Sequence, residues 1–298
     1  VTESTLEKRN DETLTAGYFS RARTFAGDNL KLVVGLGLVL VVVLFGYVGP
    51  VFVDLGLTEV GSSPLGLSPS SGHLLGTDAQ GRDMMAWLME ATPATLRVGI
   101  LAGAIGVAFG VTVALVGGYF GGFVDNILRG FTDVMLTIPS LLVLIVLASA
   151  VRIVSLEMMA LIIAMFAWMG PARVIRAQVL TLRERSFIEI SKLSGESNMT
   201  IIFKELMPNL MPYILASFVG SLLGSILAAT GLEFLGLGPA NISTLGNILF
   251  WQDFYNALIR GMWWWWGPPI VIFVVLFTGL FIASMGLDEW ANPRLKER

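Results

Sequence analysis

The chain has 298 residues, of which 55% are hydrophobic and only 14% charged, with a mean hydropathy of +0.76 and a formal net charge of −3. A soluble domain averages about 25% charged residues, so this balance excludes an ordinary soluble domain and indicates a membrane protein. There is no cysteine, which excludes disulfides and thiolate metal sites.

Residues 1–31 carry mixed charge and no short apolar core, so they do not resemble a cleaved signal peptide and read as a cytoplasmic tail. Six apolar runs then follow that are long enough, or nearly so, to cross about 30 Å of hydrocarbon as helices. They are predicted near 32–53, 96–117, 135–151, 153–170, 212–232 and 267–286, leaving 287–298 as a second cytoplasmic tail. The whole reads as an all-α membrane protein with a six-span domain over 32–286. Arg152 alone separates the third run from the fourth, and a pair of helices with a tight outer turn fits better than one very long span. With the N-terminus inside, the outer segments hold four of the nineteen Lys and Arg residues (Arg82, Arg97, Arg152 and Arg260), leaving fifteen inside. That asymmetry places both termini in the cytoplasm.

Between the first two spans lies an outer loop (54–95) whose stretch "GSSPLGLSPSSGHLLGTDAQGRD" has the composition of turns. "MMAWLMEATPATL" (84–96) reads as a short helix leading into span two. Next, "GGYFGGFVDNILRGFTDVMLTIPS" (117–140) begins with a glycine-rich turn. It continues as an amphipathic piece with Asp125, Arg129 and Asp133 at i, i+4 and i+8, expected along the inner membrane surface. Pro139 suits the first turn of span three. Residues 171–211 form an inner segment. It opens with a basic helix, "PARVIRAQVLTLRERSFIEI", and ends where Pro208 and Pro212 mark the start of span five. Within it Phe187, Ile190 and Leu193 fall on one helical face, and Gly195 is placed as a left-handed C-terminal cap. Ser197 or Asn198 can cap a second short helix that ends before Pro208. The last outer loop spans 233–262.

Charged side chains are essentially missing from the six predicted spans, which argues against an ion-coupled carrier. Rings of polar residues suited to a stand-alone channel are missing too. The single histidine, His73, sits among turn residues and reads as a solvated loop residue. No G-x-x-x-x-G-K-[ST] phosphate loop occurs, so this chain is not predicted to be an enzyme. A pathway former driven by an energised partner through the inner segment is the reading that remains.

The run Glu189-Ile190-Ser191, three residues, Gly195, nine residues, then Glu205-Leu206-Met207-Pro208-Asn209 resembles the cytoplasmic loop signature of ABC importer permeases. Further stretches resemble the dipeptide/oligopeptide/nickel-type branch in its second-permease form: "LGTDAQGRD" (75–83), "GGYFGG" (117–122), "WMGPARVIRAQVLTLRERSFIE" (168–189), "GLEFLGLG" (231–238), "LGNIL" (245–249) and "DEWANPRL" (288–295). They occur in order over most of the chain. It departs from the pattern at Ile190-Ser191 (a small Ala-Ala pair in the family), at Glu205 (often His) and at Leu245 (often Trp).

The resemblance implies a type I ABC importer permease of the MetI-like fold, in the plasma (inner) membrane of a prokaryote. Its partners would be a homologous second permease, two cytoplasmic ATPase subunits, an extracytoplasmic solute-binding protein and the lipid bilayer, with no nucleic acid. ATP and Mg would be bound by the ATPases and no cofactor by this chain. Peptides are the first cargo class, with oligosaccharides or a nickel chelate as alternatives. Phe187, Glu189, Ile190, Ser191, Leu193, Gly195, Glu205, Pro208 and Asn209 would form the ATPase-coupling element. Thr77, Asp78, Arg82 and Asp83 would either contact the binding protein or brace the outer loop, with bracing preferred. Trp263, Trp264, Trp265 and Trp266 cover most of a helix circumference at about 100° per residue and are predicted to form an interfacial aromatic belt with Trp87, Trp168, Trp251 and Trp290. Stacking on a passing sugar or aromatic side chain is the lesser alternative. Arg173 and Arg176 read as membrane-interface anchors.

Overall fold

The computed structural model describes residue 27, residues 29–151 and residues 154–291. Most of the two expected tails, with Lys8, Arg9, Arg21, Arg23, Arg294, Lys296 and Arg298, lies outside the described residues, as do Arg152 and the side chain of Trp290. The described residues are helical apart from loops and one isolated antiparallel bridge, Thr77–Asp83. In hydrocarbon a backbone must satisfy its own hydrogen bonds, and helices are the local way to do so.

Helix α1 (Leu30–Tyr47) packs antiparallel to α10 (Trp263–Ala291). Glycines set the distance: a Cβ at Gly279 would lie 3.0 Å from the Gly35 carbonyl, and one at Gly286 would lie 2.5 Å from the Leu32 amide. Lys31 and Glu289 close the pair with an ion pair. Between these two and the remainder runs α2 (Met84–Phe120), 37 residues that take in both the short lead helix and span two. Its glycines face two partners. Gly99 and Gly103 meet Ile226 and Leu222 of α8 (Met207–Phe234), whereas Gly106 and Gly110 meet Ala167 and the Trp168 carbonyl. Lipid tails are as apolar as leucine, so helices in a bilayer gain from close backbone approach through small residues.

In the middle of the chain the amphipathic piece and the third run are separate helices, as the sequence suggests, but the third is shorter than expected: α3 (Gly122–Thr137) and α4 (Ser140–Ala150) meet at an 80° bend. Pro139 is the N-cap of α4, and Ile138 before it is extended (ψ 126°), as a residue preceding proline tends to be. The 11 residues of α4 reach about 16 Å, half the hydrocarbon thickness. The fourth run bends by 42° at Trp168, between α5 (Leu156–Ala167) and α6 (Met169–Arg183). Pro171 explains this bend, because it has no N–H for the Ala167 carbonyl and its ring crowds that oxygen. Among the described residues, Leu30–Val51, Met84–Phe120, Asn198–Phe234 and Trp263–Glu289 are each long and apolar enough to cross a membrane, and counting each bent pair as one span brings the total to six.

The glycine contacts are testable. Gly110→Ala places a methyl group 2.6 Å from the Trp168 carbonyl oxygen and is expected to cost about 1–3 kcal/mol as overpacking. Gly130→Ala in α3 meets nothing within 4 Å and is expected to be neutral or to stabilise by up to about 1 kcal/mol. Thermal unfolding of the purified variants by tryptophan fluorescence reads the difference. Equal melting of both variants would contradict the packing described here.

Candidate functional site

The inner segment is built on α7 (Ser186–Leu193) and the chain that follows it. The Glu196 N–H donates to Ser191 O (3.2 Å) and the Gly195 N–H to Lys192 O (3.1 Å), the bond pair of a Schellman motif. Gly195 has φ +79°, and a Cβ there would meet nothing within 4 Å. Backbone conformation, not space, therefore demands glycine. Ser197 caps the next turn, its Oγ accepting from the Thr200 N–H (3.2 Å).

Here the predicted second short helix is corrected. After one α turn (Asn198–Thr200) the chain forms a π-helix over Ile201–Leu206 and runs without a stop through Pro208 and Pro212 into α8. The Met207 N–H reaches back to Ile202 O, five residues earlier, and Asn209 Nδ2 donates to Glu205 O (2.7 Å). The wider register and the asparagine side chain take up the disturbance at Pro208, where an α-helix would lose a donor and crowd a carbonyl.

α7 packs inward through a residue one position off the face shared by Phe187, Ile190 and Leu193. Ile188 is the anchor, fully buried with Ile175, Val179, Ile201, Leu206 and Leu210, and Phe187 is only half-buried beside this cluster. Ile190 (63% exposed) and Leu193 (82% exposed) point away, with Glu189 and Lys192 exposed between them and Ser191 half-buried. Exposed Met199 and Phe203 extend the apolar surface. Glu205 is half-buried, and Pro208 and Asn209 are exposed. The segment is therefore firmly rooted but carries an uncovered apolar tip.

Its root is polar as well as apolar. Tyr119 Oη donates to Asn198 Oδ1 (2.9 Å), the Lys192 ammonium lies 5.6 Å from the Tyr119 ring centroid, and Arg183 Nη1 donates to Gly118 O (2.8 Å). Arg176 and Asp125 form a two-bond pair at 2.5 Å each, and Arg173 pairs with Asp133 at 2.7 Å. Arg173 and Arg176 are thus braces between α6 and α3, not plain interface anchors. A valine at Gly118 would collide with Val179, since even a Cβ would lie 2.7 Å from it, so this approach of α2 to α6 needs glycine.

On the outer side Thr77, Asp78 and Asp83 are buried. Asp78 Oδ1 accepts from the Gln80 and Arg82 amides (both 2.8 Å), and Asp83 Oδ1 caps α2 by accepting from the Ala86 N–H (3.0 Å). The Arg82 guanidinium lies over Trp87 (4.2 Å) and nearer α9 faces Trp251 (5.8 Å), where α9 is Leu245–Phe254. Burial pushes the Asp78 carboxyl above its ordinary value and the Arg82 guanidinium below its own. His73 is not a free loop residue, because its Nδ1 lies 2.7 Å from Asp83 Oδ2.

The aromatic belt is corrected in the same place. Trp264 is buried and its Nε1–H donates to Thr77 O (3.1 Å), while Trp265 is fully buried and stacked on Tyr255 at 5.9 Å. Trp87 and Trp168 are buried too; only Trp263 is exposed among these, with Trp251 and Trp266 half-buried. A belt residue must reach the lipid headgroups, so Trp264, Trp265, Trp87 and Trp168 are packing residues.

One residue escaped the sequence reading. Glu233 lies one position beyond the predicted fifth span, yet it is in the last turn of α8 and 1% exposed. Its carboxyl sits beside Thr244 and the Gly246 amide without a well-formed hydrogen bond to either. Only glycine at 246 leaves room for it.

The Asp78 turn sets up a second test. Asp78→Asn keeps the Oδ1 acceptor and is expected to cost clearly less than Asp78→Ala, which leaves two part-buried amides without their acceptor at about 1–3 kcal/mol. Melting temperatures of the two variants decide it; equal losses would mean that the turn does not depend on the acceptor.

With this geometry in hand, comparison with known proteins is informative. The family model described as "Binding-protein-dependent transport system inner membrane component" matches residues 106–297. The oligopeptide transport system permease protein OppC of Lactococcus lactis subsp. cremoris is 31% identical over 78% of this chain and 78% of its own length. The dipeptide transport system permease protein DppC of Alkalihalophilus pseudofirmus is 30% identical over 90% of this chain and 87% of its own. Among solved structures, a chain of the MetNI methionine ABC transporter in an inward-facing conformation superposes with a TM-score of 0.51 at 20% identity, over 68% of this chain and 97% of that one.

Proposed function

The chain belongs to the family of binding-protein-dependent transport system inner membrane components, and from that premise we propose that its inner tip is the coupling element of a peptide importer. It is a multi-pass membrane protein with the permease fold of ABC importers, and the family is described by its dependence on a binding protein. The relatives are named for oligopeptides and dipeptides, which favours peptide cargo over the oligosaccharide and nickel-chelate alternatives.

The observation that carries the coupling role is the exposed pair Ile190 and Leu193 on a helix rooted by Ile188. Two large apolar side chains on a capped, ordered turn outside the spans call for a covering surface. A groove on a cytoplasmic ATPase supplies one. In this reading the chain pairs with a homologous second permease, two ATPases bind ATP and Mg below, and the binding protein docks above. Closure of the ATPases displaces α7, and because Ile188 and the Lys192–Tyr119 contact fix α7 to α6 and α2, while Arg183 ties α6 to α2, the spans follow as a rigid body.

Gly195→Val imposes about 1–2 kcal/mol of backbone strain at a left-handed position, and Glu189→Lys reverses a charge on the exposed tip. Both variants are expected to insert and pair with the second permease. Each is expected to lose ATPase attachment or the stimulation of hydrolysis by loaded binding protein. Co-purification of the ATPases followed by hydrolysis assays checks this, and wild-type behaviour in both variants would reduce the segment to a connector. Orientation has its own test, made clean by the lack of native cysteine. Ser71→Cys is expected to react with an impermeant thiol reagent from outside the cell and Ser194→Cys only from inside; the reverse pattern would overturn the topology.

A further inference from the structure

A groove of about 390 Å³ opens between α4, the α5–α6 bend and α8. Its α8 wall is Ser217, Gly220, Ser221, Gly224 and Ser225, spaced so that all five share one helical face. Ser140 faces them from the start of α4, and no charged side chain lines the space. Elsewhere α8 shows lipid-sized apolar side chains, such as Leu215 and Leu227 at 38% and 57% exposure. The groove face has none. Gly220 and Gly224 meet nothing within 4 Å of a Cβ position, so unlike the glycines of α2 they serve no packing within this chain.

The hydroxyls point the same way. Ser225 is 2% exposed, lines the groove, and its Oγ has no hydrogen-bond partner. This is a departure from the local rule, because Thr92, Thr95, Thr112 and Thr230 all donate to the carbonyl four residues back in their own helices. Ser221 reaches only the Ala167 carbonyl, at 3.4 Å, the oxygen that Pro171 leaves without its helical donor. Ser140 opens a helix whose N-cap, Pro139, offers no side-chain acceptor. Its amide is one of the orphan donors that every helix start presents.

We infer that this groove holds the main chain of a peptide in passage, with Ser225 Oγ as its central contact. The inference rests on the peptide-import reading above. A serine hydroxyl both donates and accepts, which matches the alternating N–H and C=O of an extended peptide. The α8 wall carries neither charge nor bulk, and Leu144, Ile163, Phe166 and Val174 opposite it offer the peptide's side chains an apolar surface. The competing occupant is a helix of the second permease, since Gly220-x-x-x-Gly224 has the spacing of close helix pairs. Such a seat needs the glycines but has no use for an unpaired Ser225 hydroxyl with two further serines on the same face.

The experiment uses the complete importer in proteoliposomes, with cysteine-free partner subunits, and tri-alanine as the cargo. Ser225→Ala is expected to lower uptake about five- to tenfold, the size of one lost hydrogen bond. Assembly of the complex and the affinity of the binding protein for tri-alanine are expected to be unchanged. Gly224→Leu fills the groove and is expected to abolish uptake in an assembled complex. Ser221→Cys, half-buried on the same face, is expected to react with a water-soluble maleimide, more slowly during tri-alanine turnover. Normal uptake by wild type, Ser225→Ala and Gly224→Leu alike overturns the groove assignment alone. Failure of Gly224→Leu to assemble, or a disulfide from Ser221→Cys to a cysteine scanned along the partner permease that peptide does not impede, makes the groove a helix seat and also overturns it. If the wild-type complex takes up no tri-alanine, peptide import itself fails and this inference with it.

Discussion

Close backbone approach along α2 is the constraint on which the remainder of the fold depends. Inside hydrocarbon the helices gain little from burying leucine against leucine, and what holds them is dispersion between surfaces that fit. Four glycines, Gly99, Gly103, Gly106 and Gly110, let α2 touch α8 on one side and the α5–α6 bend on the other. A helix of 37 residues is about 55 Å long, longer than the hydrocarbon. Its ends therefore stand clear of the apolar layer, and each end is tied down. Asp83 and Trp87 tie one to the outer loops, and Gly118 and Tyr119 tie the other to the inner segment.

Much of the inner segment was legible in the sequence because local chemistry decides it. A glycine after a short amphipathic run and a serine two positions later define a C-cap and an N-cap with no help from the rest of the molecule, and both stand as read. The sequence misled where a proline had two solutions. At Pro208 the rule that proline ends a helix pointed to a stop, but a π-helix of six residues absorbed the fault instead. Pro139 opens α4 where the sequence placed the first turn of span three, but at Pro171 the basic helix read as continuing straight from the fourth run, since hydropathy is blind to a single missing N–H. The 42° bend comes from that missing donor and the crowded carbonyl, and the 80° bend from the extended Ile138 ahead of Pro139.

The tryptophans failed for a different reason. Aromatic residues near a span's end satisfy the belt pattern whether they face lipid or protein, and the sequence carries no sign of which. What turns Trp264 and Trp265 inward is the outer loop itself, folded over the end of α10 so that the Thr77 carbonyl and the Tyr255 ring are within reach. Ile188 shows the same limit on a smaller scale. Phe187, Ile188 and Ile190 are all apolar, and which of them roots α7 depends on where Val179 and Leu206 stand, a tertiary fact.

Glu233 completes the picture of how the two long central helices are held in register. Helix α9 lies across their outer ends with its N-terminus directed at both. The Leu245 N–H donates to Thr95 Oγ1 of α2 (2.9 Å), and the amide of Gly246 lies beside the Glu233 carboxyl of α8. A helix N-terminus presents unbonded amides and a partial positive charge, so a hydroxyl and a carboxyl are suitable groups to set against it. The inner segment does the corresponding work at the other end, where Asn198 and Ile201, at the head of α8, meet Tyr119 and its neighbours on α2. α2 and α8 are thus clasped at both ends and in close contact between them. The α5–α6 bend and the start of α4 pack against that frame and line the serine-bearing groove.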